Sequence, residues 1–313
     1  MSDKLKPVEI ICSATQDYLP YYVVLARSVA ANLDGRPLKI HVLYTTEFGK
    51  IPEQDWEKYK DAFNNTMIDF ENTEINFYDI TDKMHLFDGQ NVGMWGKKTS
   101  LTHYIYLLAA DVLRGSERVI YMDGDMICNA NLGNVFDMDM GSKLIAMAEH
   151  SGGDDLSEKE LSPTASNSGF LVLNLKQWRT DNTFADITEF GRNMPKTSFC
   201  DQALLYHYFA INHPDKIMYI DKKYNMFPGA NPDIPTAQMK VIHFTSYRDP
   251  KPWLHLGDHS WRGSDIWWKH ARNTSFYELF IDGILYGRFE DIKRRIPHKK
   301  HRGLWWHIRH LKF

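Results

Sequence analysis

Arg118-Val-Ile-Tyr-Met-Asp-Gly-Asp-Met-Ile127 is a short apolar run of β-forming residues that ends in Asp123-Gly124-Asp125. A strand closing on two carboxylates around a glycine sets two hard anionic ligands at the carboxyl end of a sheet. That is the edge at which open α/β sheets bind ligands. Gly124 permits a tight turn, so both side chains can reach one ion. A divalent cation that also carries phosphate is held in this way, by one or two carboxylates together with the phosphate oxygens. The same tripeptide also fits a solvated turn or a helix N-cap. The segments around it decide between these readings.

Working outward, Val8–Ala14 reads as a buried first strand opening into the loop Thr15-Gln-Asp-Tyr18, and Tyr21 to Asn32 carries apolar residues at helical spacing. Leu38–Tyr44 and Ile75–Asp79 read as the second and third strands, with a helix over Pro52 to Asn64 between them. Residues 83–99 read as a Gly- and Met-containing loop, followed by a helix from about Leu101 to Leu113 and then the strand that ends at Asp123. Strands alternating with helices predict βαβ units and a mainly parallel sheet. Beyond residue 130 the order shifts. Leu144–Ala148 and Gly169–Leu175 read as further strands, separated by a polar Gly/Ser/Asp loop suited to a lid.

The composition, 43% hydrophobic and 25% charged over 313 residues, is that of a globular α/β domain with at most an appendage. Cys12, Cys128 and Cys200 are far apart and lack metal-site spacing, which fits a reducing compartment. The polar start Met1-Ser-Asp-Lys-Leu-Lys-Pro7 carries no signal-peptide core, and no run approaches the roughly 18 apolar residues of a spanning helix. A cytoplasmic location is expected. The stretch from Lys293 to Phe313 differs from the rest: eight Lys/Arg and four His, no acid, and interleaved Leu304, Trp305, Trp306, Ile308 and Leu311. Basic residues with tryptophans suit an anionic membrane surface. A solvated tail packed on the domain is the plain alternative. Nucleic acid binding is disfavoured, because the remainder of the chain is acidic and has no matching patch.

Four further segments bear on Asp123 and Asp125. Asn167-Ser-Gly-Phe-Leu-Val-Leu-Asn-Leu175 places polar groups at the mouth of an apolar strand, suited to hydrogen-bonding a sugar. Asp201-Gln202 precedes an apolar helix, where the aspartate also serves as a charge complementing the helix dipole. Val241-Ile-His243 is a strand ending in histidine, and Lys251-Pro-Trp253 sets a cation where a diphosphate can be clamped. Singly, such a histidine or lysine is most often structural. Their joint occurrence in this order carries the weight.

Over roughly residues 8–275 the chain resembles glycosyltransferase family 8, the retaining enzymes of GT-A fold that include bacterial lipopolysaccharide α-galactosyl- and α-glucosyltransferases. The resemblance rests on the opening strand with Tyr18, the Tyr-Met-Asp-Gly-Asp stretch, the Asn-Ser-Gly-Phe-Leu-Val-Leu-Asn-Leu block, Asp201-Gln202, and His243 followed by Lys251-Pro-Trp. It implies a GT-A domain over 1–280, with a mainly parallel mixed sheet, and a membrane-associating extension over 281–313. It implies that Asp123, Asp125 and His243 ligate Mn²⁺, with Mg²⁺ the alternative. Carboxylate and imidazole ligands together with diphosphate oxygens suit Mn²⁺ better. Ala14, Thr15 and Tyr18 would line a uridine site, with the tyrosine ring stacking on the base. Asn167, Ser168, Asp201 and Gln202 would hold the donor sugar, Lys251 the diphosphate, and Glu149 would stand near sugar and acceptor.

The activity so implied is hexose transfer from UDP-glucose or UDP-galactose, with retention, to a saccharide or glycolipid acceptor at the inner membrane face. Gln202 would stabilise the reacting sugar. The other readings are a catalytically silent relative and a glycogenin-like self-glucosylating enzyme. Two departures bear on the donor. Thr15 stands where many members have an aspartate that contacts uracil, and Tyr106 where the family tends to have arginine in a Tyr-x-Arg-Leu setting. Lys97 or Lys98 would compensate for the lost guanidinium. Ser246 replaces a glycine in a loop one residue longer than expected.

Overall fold

The computed structural model describes residues 5–14, 18–47, 55–91, 93–94, 97–98, 101–150, 166–195, 200–245, 250–254 and 262–283, of which the side chains at 93–94 and 97–98 are not described. In chain order the elements are β1 (Val8–Ala14), α1 (Leu19–Ala31), β2 (Leu38–Tyr44), α2 (Trp56–Met67), β3 (Thr73–Asp79), β4 (Gly93–Met94) and β5 (Lys97–Lys98). Then follow α3 (Ala109–Val112), β6 (Val119–Met122), β7 (Met126–Cys128), α4 (Gly133–Asp137), β8 (Ile145–Ala148), β9 (Phe170–Leu173), α5 (Leu175–Thr180), α6 (Thr183–Asn193), α7 (Cys200–Leu205), β10 (Ile217–Ile220), β11 (Val241–His243) and α8 (Ser264–Ala271).

Seven strands form one sheet in the order β10-β8-β9-β6-β1-β2-β3. β1 pairs parallel with β2 and β6, β2 with β3, and β8 with β10, whereas β9 runs antiparallel to both of its neighbours. The expected mainly parallel mixed α/β sheet is therefore present. β1 is buried on both faces, which is why its sequence is a nearly unbroken apolar run. Ile10, Cys12 and Ala14 join one core with Tyr22, Val23 and Trp267 from α1 and α8, while Ile11 joins a second with Ile105, Leu108, Trp178 and Leu204 on the other face. Helical segments thus cover both faces of the sheet.

One difference from expectation concerns Leu101 to Leu113. The segment is a 3-10 helix over Leu101–Leu108 that relaxes into the single α-turn α3. Tyr104 to Leu108 are all buried, an unbroken apolar run whose spacing does not separate the two helix types. The second helix begins at Trp56 and ends at Met67, later than the expected Asn64, because buried Thr66 and Met67 extend its packed face. The lid expected between β8 and β9 lies at 151–165, outside the described residues, as do Thr15, Ser246 and the 293–313 tail.

Candidate functional site

The sheet's direction brings the chemistry to one edge. β6 ends at Met122, so Asp123 follows at its carboxyl end. β9 runs the opposite way, so Asn167, Ser168 and Gly169, which precede it, reach the same edge. The register pairs Met122 with Phe170, and the Asp123 N–H donates to Gly169 O at 2.9 Å. Beyond the Gly124 turn the chain enters β7, which pairs antiparallel with β11, placing His243 opposite Met126. The Phe244 N–H donates to Asp125 O at 2.9 Å and locks the two segments together. Two glycines make this approach feasible. A Cβ on Gly169 would lie 2.5 Å from His243 Cε1, and one on Gly124 would crowd the Tyr18 and Tyr22 rings at 3.3 and 3.2 Å.

Ligand atoms of Asp123, Asp125 and His243 lie within 4.8 Å of one another. His243 Nε2 is 3.1 Å from Asp125 Oδ1 and 3.6 Å from Asp123 Oδ2. Lys251 Nζ donates to the other oxygen of Asp125. These are two hard oxygen donors, one imidazole nitrogen and an adjoining cation. The set fits a divalent metal ion.

The two carboxylates are held differently. Burial alone would raise the Asp125 carboxyl, but Lys251 and His243 reverse this and hold it well below the usual carboxylate range. Asp123 moves upward, through burial and then the neighbouring Asp125 charge. Burial would lower the His243 imidazole, yet the facing carboxylates raise it, and Lys251 is raised by Asp125 against the pull of its own burial. The cationic Lys251 offsets the charge of the two crowded acids. A divalent ion would take over that role.

Around this cluster runs a second layer. The Tyr121 phenol donates to Asp123 Oδ1 at 2.5 Å, and its ring stacks on Tyr106 with centroids 4.4 Å apart. Tyr106 in turn donates to Asp201 Oδ2 at 3.1 Å. The position expected to hold arginine is thus a buried tyrosine that bonds Asp201 directly. Asp201 and Gln202 occupy the first turn of α7, which starts at Cys200 with a left-handed φ of 41°. Burial pushes the Asp201 carboxyl up to about 6, with the Asp123 charge adding and His103, Ser168 and Tyr106 opposing.

Of the expected site residues, Asp123, Asp125, His243 and Lys251 converge directly, and Tyr121 and Tyr106 connect them to Asp201. Asn167 Nδ2 donates to Gln202 Oε1 at 3.1 Å. Ala14 closes β1 at this edge, and Tyr18, 41% exposed, caps α1 against Gly124. Glu149 follows β8 at the same edge and is exposed. Among the described residues no hydrogen bond joins its side chain to the cluster. Lys97 and Lys98 form β5, but their side chains are not described. Sequence reading missed Asn225, Tyr121 and Tyr22. Tyr121 sits two residues before Asp123 in the opening motif, where strand alternation puts both on one face and could have signalled it.

A mainly parallel sheet with one reversed strand and an Asp-x-Asp turn at its carboxyl edge is the GT-A architecture. The chain belongs to glycosyl transferase family 8, whose sequence profile matches residues 9–257. It is 26% identical over 170 residues to glycosyltransferase GlyB of Streptococcus pneumoniae serotype 4, covering 48% of this chain and 37% of GlyB. It is 25% identical over 264 residues to lipopolysaccharide glucosyltransferase WaaO of Escherichia coli K12, covering 78% of this chain and 69% of WaaO. The crystal structure of galactosyltransferase LgtC in complex with donor and acceptor sugar analogues superposes with a TM-score of 0.64 at 21% identity, over 86% of this chain and 96% of LgtC. The chain thus spans well under half the length of GlyB. Among the described residues no helix is long and apolar enough to cross a membrane.

Proposed function

We propose that this protein is a metal-dependent, anomer-retaining hexosyltransferase. It would move glucose or galactose from a UDP-sugar to a glycan acceptor such as a lipopolysaccharide core. The observation that carries this reading is the convergence of Asp123, Asp125 and His243 beside Lys251 at the sheet's carboxyl edge. Bound there, Mn²⁺ would supply Lewis-acid stabilisation of the departing diphosphate. Lys251, which bonds Asp125, would add a second positive charge beside the diphosphate. Asp201 and the Asn167–Gln202 pair face the sugar. Because Gln202 Oε1 already accepts from Asn167, and an amide is a poor nucleophile, Gln202 serves as a hydrogen-bonding group at the reacting face. The bond from the anomeric carbon to UDP breaks, the acceptor oxygen bonds to that carbon from the same face, and a leaving phosphate oxygen takes the acceptor's proton.

The test is to incubate the purified protein with Mn²⁺ and a panel of UDP-, GDP- and CMP-sugars and follow nucleotide release. Release from one UDP-hexose that EDTA and Asp125→Ala abolish supports the reading. Saturable binding without turnover, even with saccharide acceptors present, sinks it in favour of a silent relative.

The same proposal places residues 1–280 in the transferase domain and assigns 281–313 to peripheral attachment at the inner membrane face. Its support is the density of Lys, Arg and Trp over 293–313. Deleting 293–313 should release the protein from vesicles containing anionic lipid. Unchanged sedimentation would overturn the attachment.

A further inference from the structure

We infer that Asn225 is a positioning residue, which fixes His243 with Nδ1 protonated so that Nε2 faces the metal site, and ties that site to Gln202 through Asn167. The inference rests on the metal-dependent reading above. The four side chains form one line. Asn167 Nδ2 donates to Gln202 Oε1 at 3.1 Å, Asn225 Nδ2 reaches Asn167 Oδ1 at 2.9 Å and Asn167 O at 3.3 Å, and Asn225 Oδ1 lies 2.9 Å from His243 Nδ1.

The direction of every bond in that line follows from one backbone group. Gly169 N–H, 2.9 Å from Asn167 Oδ1, can only donate, so this atom must be the amide oxygen and the other end of Asn167 must be the NH₂ that meets Gln202. Asn225 faces two oxygens of Asn167 and must therefore turn its own NH₂ toward them. Its oxygen is left facing His243, and two acceptors cannot face each other across 2.9 Å. His243 Nδ1 must carry a hydrogen. Nε2 is then the nitrogen available to a metal, and it is the nitrogen that points at Asp123 and Asp125. Metal-bound histidines depend on such a partner at the second nitrogen to set tautomer and ring orientation.

The backbone holds Asn225 rigidly for this role. It is 3% exposed, and the next residue, Met226, bridges to β11: the Met226 N–H donates to Val241 O at 3.0 Å and the His243 N–H to Met226 O at 2.9 Å. Phe227 stacks on the imidazole with centroids 5.2 Å apart, so the ring is confined by a face contact as well as by its two nitrogens.

Mn²⁺ titration of the full chain, followed by the EPR signal of free Mn²⁺, tests the inference without relying on turnover. Asn225→Ala should weaken Mn²⁺ binding about 10- to 100-fold. Asn225→Asp keeps an acceptor for Nδ1–H and should bind within about three-fold of wild type. It loses the N–H that holds Asn167, so its kcat at saturating Mn²⁺ should still fall about ten-fold or more. Wild-type affinity in Asn225→Ala, or equal loss in both variants, overturns the inference. Failure of the wild-type chain to bind Mn²⁺ overturns the metal reading beneath it. Should Asn225→Ala not fold, ¹⁵N-histidine spectra of the wild-type protein with Mg²⁺ decide the question: a proton on His243 Nδ1 supports the relay, and a bare Nδ1 overturns it.

Discussion

The α-carbon of Gly169 backs directly onto the imidazole of His243, so closely that a Cβ there would lie 2.5 Å from Cε1. Gly169 precedes β9 and His243 ends β11, so the contact joins the seven-stranded sheet to the β7–β11 pair that completes the cluster. A methyl at 169 would also press on Asn167 Oδ1 at 2.9 Å and on Met126 Cε at 2.8 Å. The methionine can swing away, but the imidazole is held by Asn225 and Phe227. Gly169→Ala should therefore push His243 out of register and weaken Mn²⁺ binding about ten-fold or more. Unchanged affinity, measured by EPR titration, would show that the ring can move without cost.

Tyr121 offers a milder perturbation of the same cluster. Tyr121→Phe keeps the ring that stacks on Tyr106 and removes only the hydroxyl that donates to Asp123. That hydrogen bond works against the burial and the Asp125 charge that raise the Asp123 carboxyl. Its loss should raise the carboxyl further and let protons compete better with the metal. Affinity for Mn²⁺ should fall about ten-fold, with a larger loss at pH 6 than at pH 8. A loss that does not vary with pH would separate the hydroxyl's role from proton competition.

The Lys-Pro-Trp motif owes its placement to aromatic packing. Trp253 stacks on Tyr21 of α1 with centroids 4.2 Å apart and meets Trp267 of α8 at 5.3 Å. Two residues earlier, Lys251 reaches Asp125. Trp253→Ala removes a large, nearly buried side chain and should cost about 3–5 kcal/mol of stability by denaturant titration. A cost below about 1 kcal/mol would show that Lys251 is held by its ion pair alone.

What the sequence made legible follows a physical division. β6 and β9 are buried on both faces and read as plain apolar runs, and β1 and β2 are mostly apolar with single polar residues such as Glu9, Lys39 and His41, so the sheet and its carboxyl edge were open to inspection. Asp123, Asp125, His243 and Lys251 were legible because charge next to an apolar strand is costly unless it has a use. Asn225 was not. It lies in an irregular stretch after the 3-10 turn Lys222–Tyr224, and its role arises from a bridge to a strand sixteen residues later, beginning at Val241. Tyr106 showed itself only as a departure from a pattern, and its bond to Asp201 spans 95 positions of chain. The long 3-10 run over Leu101–Leu108 was hidden for a different reason: its buried residues run without a gap from Tyr104 to Leu108, so no period marks the helix type.

Asp201 ties stability to pH with a definite sign. Its carboxyl sits at about 6, raised first by burial, against about 3.9 for a free aspartate. The folded protein therefore holds this proton more tightly than the unfolded chain. The stability so gained is fully present below the unfolded value and is lost as pH rises through about 6. At pH 8 the ionised Asp201 costs the metal-free protein on the order of 3 kcal/mol, two pH units at about 1.4 kcal/mol each. Asp201→Asn keeps an oxygen for the Tyr106 phenol and carries no charge. In EDTA it should be more stable than wild type at pH 8 by up to about 3 kcal/mol, with most of that gain gone at pH 4.5. Tyr106→Phe removes a hydrogen bond that favours the ionised form, so it should raise the Asp201 carboxyl further and shift the acid limb of kcat/KM to higher pH. Urea titrations of the two proteins at both pH values check the first expectation and a pH–rate profile the second. An Asp201→Asn gain that is the same at pH 4.5 and pH 8 would mean that the buried carboxyl does not carry the cost.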